Sequence, residues 1–572
     1  MAIVLGLGFT DHETSAALVI DGELSVAVAR ERLTRIKRDG KMWGSQRLDL
    51  TPAIQYCLDE HCLTIDQVDQ IVWSHIDHIP AAELHDLLAA EGGIDLSSRP
   101  AILLPHHFAH ACCALYLSPF KEAAVLIVDG SGGPLNSLQE HYQGPEPEMI
   151  ANGSTIVQNI SDEQAAWARE HESFYLFSGG QWCVLRKIVG IWGGIGSEYG
   201  SVSAFLFGDC LDAGKTMGLA PYGQPHPIQL FLNRVCSDAM PAFKSMHPQS
   251  RDHIEQEINE RRLKRQITNY EEPILADFAA SIQRETEVAL LTHARWLRQH
   301  SGSQNLCLAG GVALNCVANS LLAQHAGFTE IFVPPAPGDD GIAVGCAMYG
   351  AAICGEVKKV TNHAFLGRAY KHHRQDFEAL GLTRVFSESD VVETIAREIA
   401  NGAVVAWYQG GAELGPRALG HRSFLADPRR PEMKDHLNHT VKNREPFRPF
   451  APVVLAEAAS DYFIEAFPSY FMSFVATVRE DKRHLIPSVT HVDATARFQV
   501  LREEDNPPLH KLITAFARLT GLPILLNTSF NRAGEPLVET PIDAARCALS
   551  SSAHYLVIDG HIYQPASTNE IS

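Results

Sequence analysis

What this chain lacks narrows it before any motif is read. Twelve cysteines are present, yet no two of them form Cys-x-x-Cys. That removes the paired-thiol spacing of zinc knuckles and thiol redox motifs. Cys112, Cys113, Cys307 and Cys346 sit among small apolar neighbours. The cysteines are therefore expected to be reduced packing residues in a cytoplasmic protein. Positive charge is also short, since 47 Lys and Arg against 67 Asp and Glu leave a formal net of −20. Duplex nucleic acid and anionic membranes call for broad basic faces, so neither is expected as a partner. No apolar run approaches the roughly 20 residues that cross a bilayer. Met1-Ala2-Ile3-Val4-Leu5 runs into a glycine turn where a secretory leader would place a basic-then-apolar segment. Phosphate-loop spacing is missing too: around Lys215 there is no Gly-x-x-x-x-Gly-Lys-Ser/Thr.

What is present reads as a multi-unit α/β protein. A chain of 572 residues with 45% hydrophobic and 20% charged content is too long for a single core. Residues 2–6, 15–20 and 24–29 read as strands, the last two joined by the Asp21-Gly22 hairpin signal. Between the first two lies Gly6-Leu7-Gly8-Phe9-Thr10-Asp11-His12-Glu13-Thr14, expected as a glycine turn whose amides face a phosphate or simply close a hairpin. Residues 51–57 and 64–68 look like helix ends, and 70–74 like a strand. A buried run at 123–128 ends in Asp129-Gly130-Ser131-Gly132-Gly133 and opens a second meander like the first. That duplication predicts two related α/β halves closing on a cleft. Residues 212–223 read as a glycine-rich bend, 225–270 as a polar helical insertion, and 273–297 as an amphipathic helix. A strand at 306–309 leads to Gly310-Gly311-Val312-Ala313-Leu314-Asn315, whose glycines would let a purine or ribose approach the backbone.

Two groups of residues carry chemistry. In Pro105-His106-His107-Phe108-Ala109-His110-Ala111, His106 and His110 stand four apart, one turn apart on one helix face. Such a pair suits a divalent metal, although packing histidines share the spacing. Asp129 and Asp339, in Gly338-Asp339-Asp340-Gly341, each follow a strand beside glycine, where open α/β sheets take ligands. Two imidazoles and two carboxylates would make a mixed N/O metal site open to Mn2+ or Zn2+. The second group lies in residues 410–450, where eight Lys/Arg against five Asp/Glu give a local +3. Arg417, Arg422, Lys442, Arg444 and Arg448 recur there among glycines and prolines, and Arg497 follows further on. Guanidinium groups on rigid turns suit phosphate oxygens. Leu525-Leu526-Asn527-Thr528-Ser529-Phe530-Asn531 then ends a strand in amide and hydroxyl donors, Asn527, Ser529 and Asn531 among them.

In their order, these motifs resemble a known family. The first glycine turn, His106/His110, Asp129, Gly310-Gly311-x-x-x-Asn315 and Gly338-Asp339 are similar to the Kae1/TsaD-like branch of the actin–Hsp70–sugar-kinase superfold. Met217-Gly218-Leu219-Ala220-Pro221-Tyr222-Gly223 resembles the nodulation and antibiotic O-carbamoyltransferases, of the tobramycin type, over essentially the whole chain. The C-terminal motifs, with Ser529-Phe530-Asn531 as a Ser-x-Asn element, resemble a YrdC-like α/β domain. One departure stands at Asp493-Ala494-Thr495, where the family pattern has Asp-Gly-Thr. The resemblance implies a Kae1-like carbamoyl-transfer domain at 1–357, a linker at 358–370 and a YrdC-like domain at 371–572.

It also implies a chemistry. Carbamoyl phosphate and ATP, with Mg2+, would give carbamoyl adenylate in the second domain, with Arg417, Arg422, Lys442, Arg444, Arg448, Arg497, Asn527, Ser529 and Asn531 around the anions. In the first domain His106, His110, Asp129 and Asp339 would hold a divalent metal, iron by resemblance. There Gly130, Gly310, Gly311 and Asn315 would hold the nucleotide, and Lys37 would reach its phosphate. His12, oriented by Asp11 or Asp212, is the expected base for the acceptor hydroxyl, unless it only caps its turn. The acceptor would be a hydroxylated small molecule such as an aminoglycoside, macrolide or ansamycin, and an oligomer is compatible with the sequence. The competing readings are tRNA threonylcarbamoyl modification, disfavoured by the charge of −20, and a nucleotide-dependent maturation or regulatory factor that binds proteins.

Overall fold

The computed structural model describes residues 2–40, 49–76, 101–134, 148–151, 155–157, 168–190, 193–236, 241–245, 251–267, 269–355, 357–358, 364–385, 390–465 and 467–565. The expected linker falls partly outside these, at 359–363. The chain divides into two compact units, Met1–Ala27 with Gly40–Thr361, and Val28–Asp39 with Asn362–Ser572. A short early segment therefore belongs to the second unit.

The first unit repeats one plan. β1 (Ile3–Phe9), β2 (Thr14–Ile20), β3 (Glu23–Ala29), β4 (Gln70–His75) and β5 (Ala101–Leu103) form a sheet in the order β3-β2-β1-β4-β5. Then β6 (Ala123–Val128), β7 (Glu148–Ala151), β8 (Thr155–Val157), β9 (Arg169–Ser178), β10 (Gln181–Gly190), β13 (Asn305–Ala309) and β14 (Glu330–Phe332) form a second, in the order β14-β13-β6-β9-β10-β7-β8. In each, an antiparallel meander runs to one side of the first strand and parallel strands to the other. The two halves expected from the duplicated pattern are thus visible in the hydrogen bonding. Asp21 (φ 50°) and Gly22 (φ 75°) take the left-handed conformations of a tight hairpin.

The first glycine stretch behaves differently from its reading as a turn. Gly6 and Gly8 lie inside β1, and only 10–13 form the loop. Their reason is packing. A Cβ on Gly6 would sit 2.1 Å from the Ala343 carbonyl oxygen, and one on Gly8 2.7 Å from Ile342 Cγ2. The helix Ile342–Cys354 lies directly on β1. It is apolar all round and, Tyr349 apart, buried from Ile342 to Ala351, as such a helix must be. On another face Gly345 meets the helix His106–Leu117, where a Cβ would come 1.9 Å from the Ala109 carbonyl.

The expected helical insertion at 225–270 is also corrected. It holds a hairpin, β11 (Leu232–Cys236) and β12 (Pro241–Ser245), before the helix Asp252–Leu263. Glu285 anchors its start by accepting the backbone N–H groups of Leu230, Phe231 and Leu232 at 2.7, 3.0 and 2.7 Å. The 212–223 stretch is mostly helical, through Ala213–Leu219 and a short turn at Ala220–Tyr222. The expected helix after 273 spans Pro273–Ser301.

The second unit is a mixed sheet with helices packed on it, beside a two-stranded pair of β19 (Val475–Thr477) and β20 (Thr495–Arg497). The larger sheet's strands are β15 (Leu382–Val385), β16 (Val405–Tyr408), β17 (Arg422–Ala426), β18 (Ala451–Leu455), β21 (Gln499–Leu501), β22 (Ile524–Ser529), β23 (Tyr555–Ile558) and β24 (His561–Pro565). They run in the order β15-β24-β23-β16-β17-β22-β18-β21. No described helix is long and apolar enough to cross a membrane.

Gly6→Val should cost stability, since overpacking a filled contact costs about 1–3 kcal/mol. Its melting temperature is expected to fall, while Gly130→Ala, whose added methyl meets open space, melts like the parent.

Candidate active site

His106 and His110 come from the first turns of the helix His106–Leu117 and are fully buried. Asp129 follows β6 directly, and Asp339 opens the short turn before Ile342–Cys354. One ligand atom from each of the four lies within 4.8 Å of all the others. His106 Nε2 stands 3.1 Å from Asp129 Oδ2 and 3.5 Å from Asp339 Oδ1, and His110 Nε2 stands 3.6 and 3.3 Å from the same atoms. The two Nε2 atoms are 3.2 Å apart.

Electrostatics favours a cation between them. Burial alone would keep His106 neutral, but hydrogen bonds and charge from Asp129 and Asp339 outweigh it and lift the imidazole to about 10. His110 is raised for the same reasons. Burial likewise opposes ionisation of the two carboxyls, and the histidines still hold both well below the usual range. A proton on an imidazole or a divalent ion would each meet this field. The donor set of two imidazoles and two carboxylates fits a mixed-ligand divalent ion.

The glycines once assigned to nucleotide help to build this site. Gly130 and Gly311 donate their N–H groups to Asp129 Oδ1, at 2.8 and 2.9 Å, which turns Oδ2 toward the histidines. Gly310 takes φ 87°, and a Cβ there would fall 2.3 Å from the Val128 carbonyl. Asn315, expected at the adenosine, is engaged within the fold. Its side chain caps the following helix through Ala318 N–H at 3.1 Å and exchanges amide hydrogen bonds with Gln283. His12, on the loop after β1, faces Asp339 Oδ2 at 3.6 Å. Asp339 therefore stands where Asp11 or Asp212 was expected; Asp212 pairs with Lys215 at 2.9 Å.

The basic residues form a second locus within the second unit. Lys442 ends a π-helical stretch, Leu437–Lys442, rather than a glycine turn. π-Helical turns often mark functional positions. Its ammonium donates to Ser529 Oγ at 3.0 Å, to Asn531 O at 2.9 Å and to Asn531 Oδ1 at 2.8 Å, and also contacts the Ser529 carbonyl. Burial first, then the charges of Arg444, Arg448 and Lys37, push Lys442 well down. Burial, Arg448 and Arg497 do the same to Arg444. Arg448 has Glu445 at 3.6 Å. This concentration of like charge is what a bound anion relieves. Arg417 is half-buried beyond Gly415 and Pro416, and Arg32 fixes that turn by donating to the Gly415 carbonyl at 2.6 Å.

Two expected anion ligands are spent on the fold. Arg422 is fully buried, its guanidinium 3.5 Å from the Tyr408 ring centre and donating to the carbonyls of Gln409, Gly410, His421 and Glu539. Both terminal nitrogens of its fork are thus engaged by carbonyls of the fold. Asn527 donates to the Ala418 carbonyl and to Gln499 Oε1, both at 3.1 Å. The sequence reading also missed Glu413, whose Oε1 accepts from the backbone of Leu419, His421 and Arg422 at 2.8, 2.9 and 3.0 Å. A lone acid within a Gly-Pro-rich basic run was its only signal. The segment Arg169-Glu170-His171-Glu172-Ser173 was missed as well, although polar residues heading an apolar strand are an indication of buried partners.

Comparison with known proteins converges on one chemistry. Residues 3–91 and 82–348 match Carbamoyltransferase N-terminus, and residues 396–564 match Carbamoyltransferase C-terminus. An uncharacterized protein of Synechocystis is 31% identical over 98% of this chain and 96% of its own length. Nodulation protein NolNO of Sinorhizobium fredii is 32% identical, covering 96% of this chain and 78% of that protein. The 3'-hydroxymethylcephem-O-carbamoyltransferase of Amycolatopsis lactamdurans is 32% identical over 70% of this chain and 75% of its own. With both parts of the family matched in order along one chain, this protein belongs to the carbamoyltransferases and is a transferase enzyme.

Proposed function

We propose that this carbamoyltransferase is an ATP-dependent O-carbamoyltransferase that makes carbamoyl adenylate and passes its carbamoyl group to a hydroxyl of a small natural product. The observation that carries the reading is the convergence of His106, His110, Asp129 and Asp339 in a buried N/O cluster. Support for a hydroxyl acceptor comes from a relative named for cephem O-carbamoylation.

The activating step belongs to the basic locus. Lys442, Arg444, Arg448, Arg497, Arg417 and Lys37 would balance the charge of carbamoyl phosphate and ATP, with Mg2+ on the phosphates. Ser529 and Asn531, already oriented by Lys442, would supply further polar contacts. Over both substrates one water is consumed, and phosphate and pyrophosphate leave.

The transfer step belongs to the histidine–aspartate cluster. His106, His110, Asp129 and Asp339 would hold a divalent ion, for which iron is the leading candidate. Bound there, it would supply Lewis acidity and a template for the departing adenylate. Gly130 and Gly311 keep one Asp129 oxygen turned away, so the other remains aimed at the site. His12 would take the proton of the acceptor hydroxyl as its oxygen attacks the carbonyl carbon and AMP leaves. What supports this role is its ring, partly open to solvent and facing Asp339.

Incubation with carbamoyl phosphate, ATP and a panel of hydroxylated natural products, followed by mass spectrometry, should show carbamoyl gain on one acceptor class. No gain on any alcohol would remove the acceptor reading. His110→Ala or Asp339→Ala should lower transfer by two or more orders of magnitude while pyrophosphate release persists; unaffected transfer would end the metal reading. Arg417→Ala should block adenylate formation yet allow transfer from supplied carbamoyl adenylate, and the opposite pattern would mean that the two roles are exchanged. Arg422→Ala, in contrast, should lower the melting temperature.

A further inference from the structure

The two metal-binding histidines depend on something other than their own rings for orientation. A ligating imidazole is usually steadied by a hydrogen bond from its other nitrogen. Among the described residues, the buried Nδ1 atoms of His106 and His110 have no hydrogen-bond partner. Their position is therefore set by the backbone of the helix His106–Leu117. That helix begins at Pro105, which has no side chain to cap it. The first N–H groups of a helix need acceptors from elsewhere.

Glu170, on β9, meets that need. Its Oε2 accepts from His107 N–H at 3.2 Å, while its Oε1 pairs with the buried Lys187 ammonium. The same residue pins the loop that carries Asp129. Gly132 N–H donates to the Glu170 carbonyl at 2.8 Å, and Glu170 N–H donates to the Gly133 carbonyl at 3.0 Å. One residue further on, the His171 carbonyl accepts from Asp129 N–H at 3.2 Å. The loop and the helix are in tight contact, since a Cβ on Gly132 would sit 2.6 Å from His107 Cδ2.

The strand is irregular where it matters. Along the pair with β10, Glu172 faces Ile188 and Glu170 faces Val189, so His171 is an extra residue. A bulge of this kind re-aims the side chains on either side of it. Glu170 and Ser173 are thereby brought to the same helix end, where Ser173 Oγ lies 2.8 Å from His107 Nδ1. Burial opposes the charge on Glu170, but Lys187 and the His107 N–H outweigh it and hold the carboxyl down at about 2.

We propose that Glu170 is a positioning residue of the metal centre, setting the spacing between the histidine pair and Asp129 by capping one element and tethering the other. The proposal rests on the reading that His106, His110, Asp129 and Asp339 bind a divalent ion. Glu170 touches no reacting atom.

The test is titration of metal-stripped, full-length protein with Co2+, followed by its visible absorption, together with melting curves of the metal-free protein. Parent protein should bind Co2+ and His106→Ala should not. Absence of binding by the parent would remove the metal reading itself, and this inference with it. E170Q should weaken Co2+ binding about 10-fold or more, the usual scale for residues behind metal ligands, and change the absorption band. E170M/K187M replaces the buried ion pair by apolar groups, an exchange that often leaves stability intact. E170D keeps a charge opposite Lys187 but withdraws the cap by one methylene. Weak Co2+ binding at parent melting temperature in either of these is the expected result. Parent-like affinity and absorption in E170D, or in the double variant when it melts like the parent, would reduce Glu170 to a structural charge and overturn the inference.

Discussion

The architecture of the first unit depends on one close approach: the helix before Cys354 lies against the helix after Pro105 with no side chain between them. Gly345 comes so near the Ala109 carbonyl that a single added carbon would overlap it. On its opposite side the same helix rests on Gly6 and Gly8 of β1. Both faces are thus fixed at backbone distance, where packing tolerates little error. Asp339 stands just ahead of this helix, and His106 and His110 stand at the head of its neighbour. The gap between carboxylate and imidazoles follows from glycines with no chemistry of their own.

Asp129 reaches the same point by another route. It leaves β6, a strand buried along its whole length, and is held by two glycine N–H groups on one oxygen. The site is therefore assembled from two sheets' worth of structure, each element stiff on its own. Carboxylates and imidazoles held this close steady each other's charged forms, which is why the imidazoles are raised and the carboxyls depressed.

Much of this was legible in the residues themselves. The i, i+4 spacing of His106 and His110, the aspartates after strands, and the duplicated meander all follow from local pattern, and each survives in the folded chain. What failed has a common cause. Gly6 and Gly8 were read as a turn because a glycine that admits a neighbouring helix looks, in sequence, like one that bends the chain. Arg422 was read with the other basic residues because only tertiary contacts reveal that carbonyls of the fold engage both its terminal nitrogens. Asn315 and Asn527 fall in the same class, their amides consumed by partners 32 and 28 residues away. Glu170 escaped notice for the opposite reason: its value lies in a bulged strand, and no local periodicity encodes which way a bulge turns a side chain.

The early segment that joins the second unit has a consequence for how the protein can be divided. Arg32 and Arg35 contribute hydrogen bonds to the carbonyls of Gly415, Pro536 and Leu537, yet they precede the rest of that unit by more than 300 residues of sequence. A polypeptide beginning at residue 362 would be born without them. Excising the C-terminal portion as an independent module therefore calls for a circularly permuted or peptide-complemented design, with residues 28–39 supplied separately.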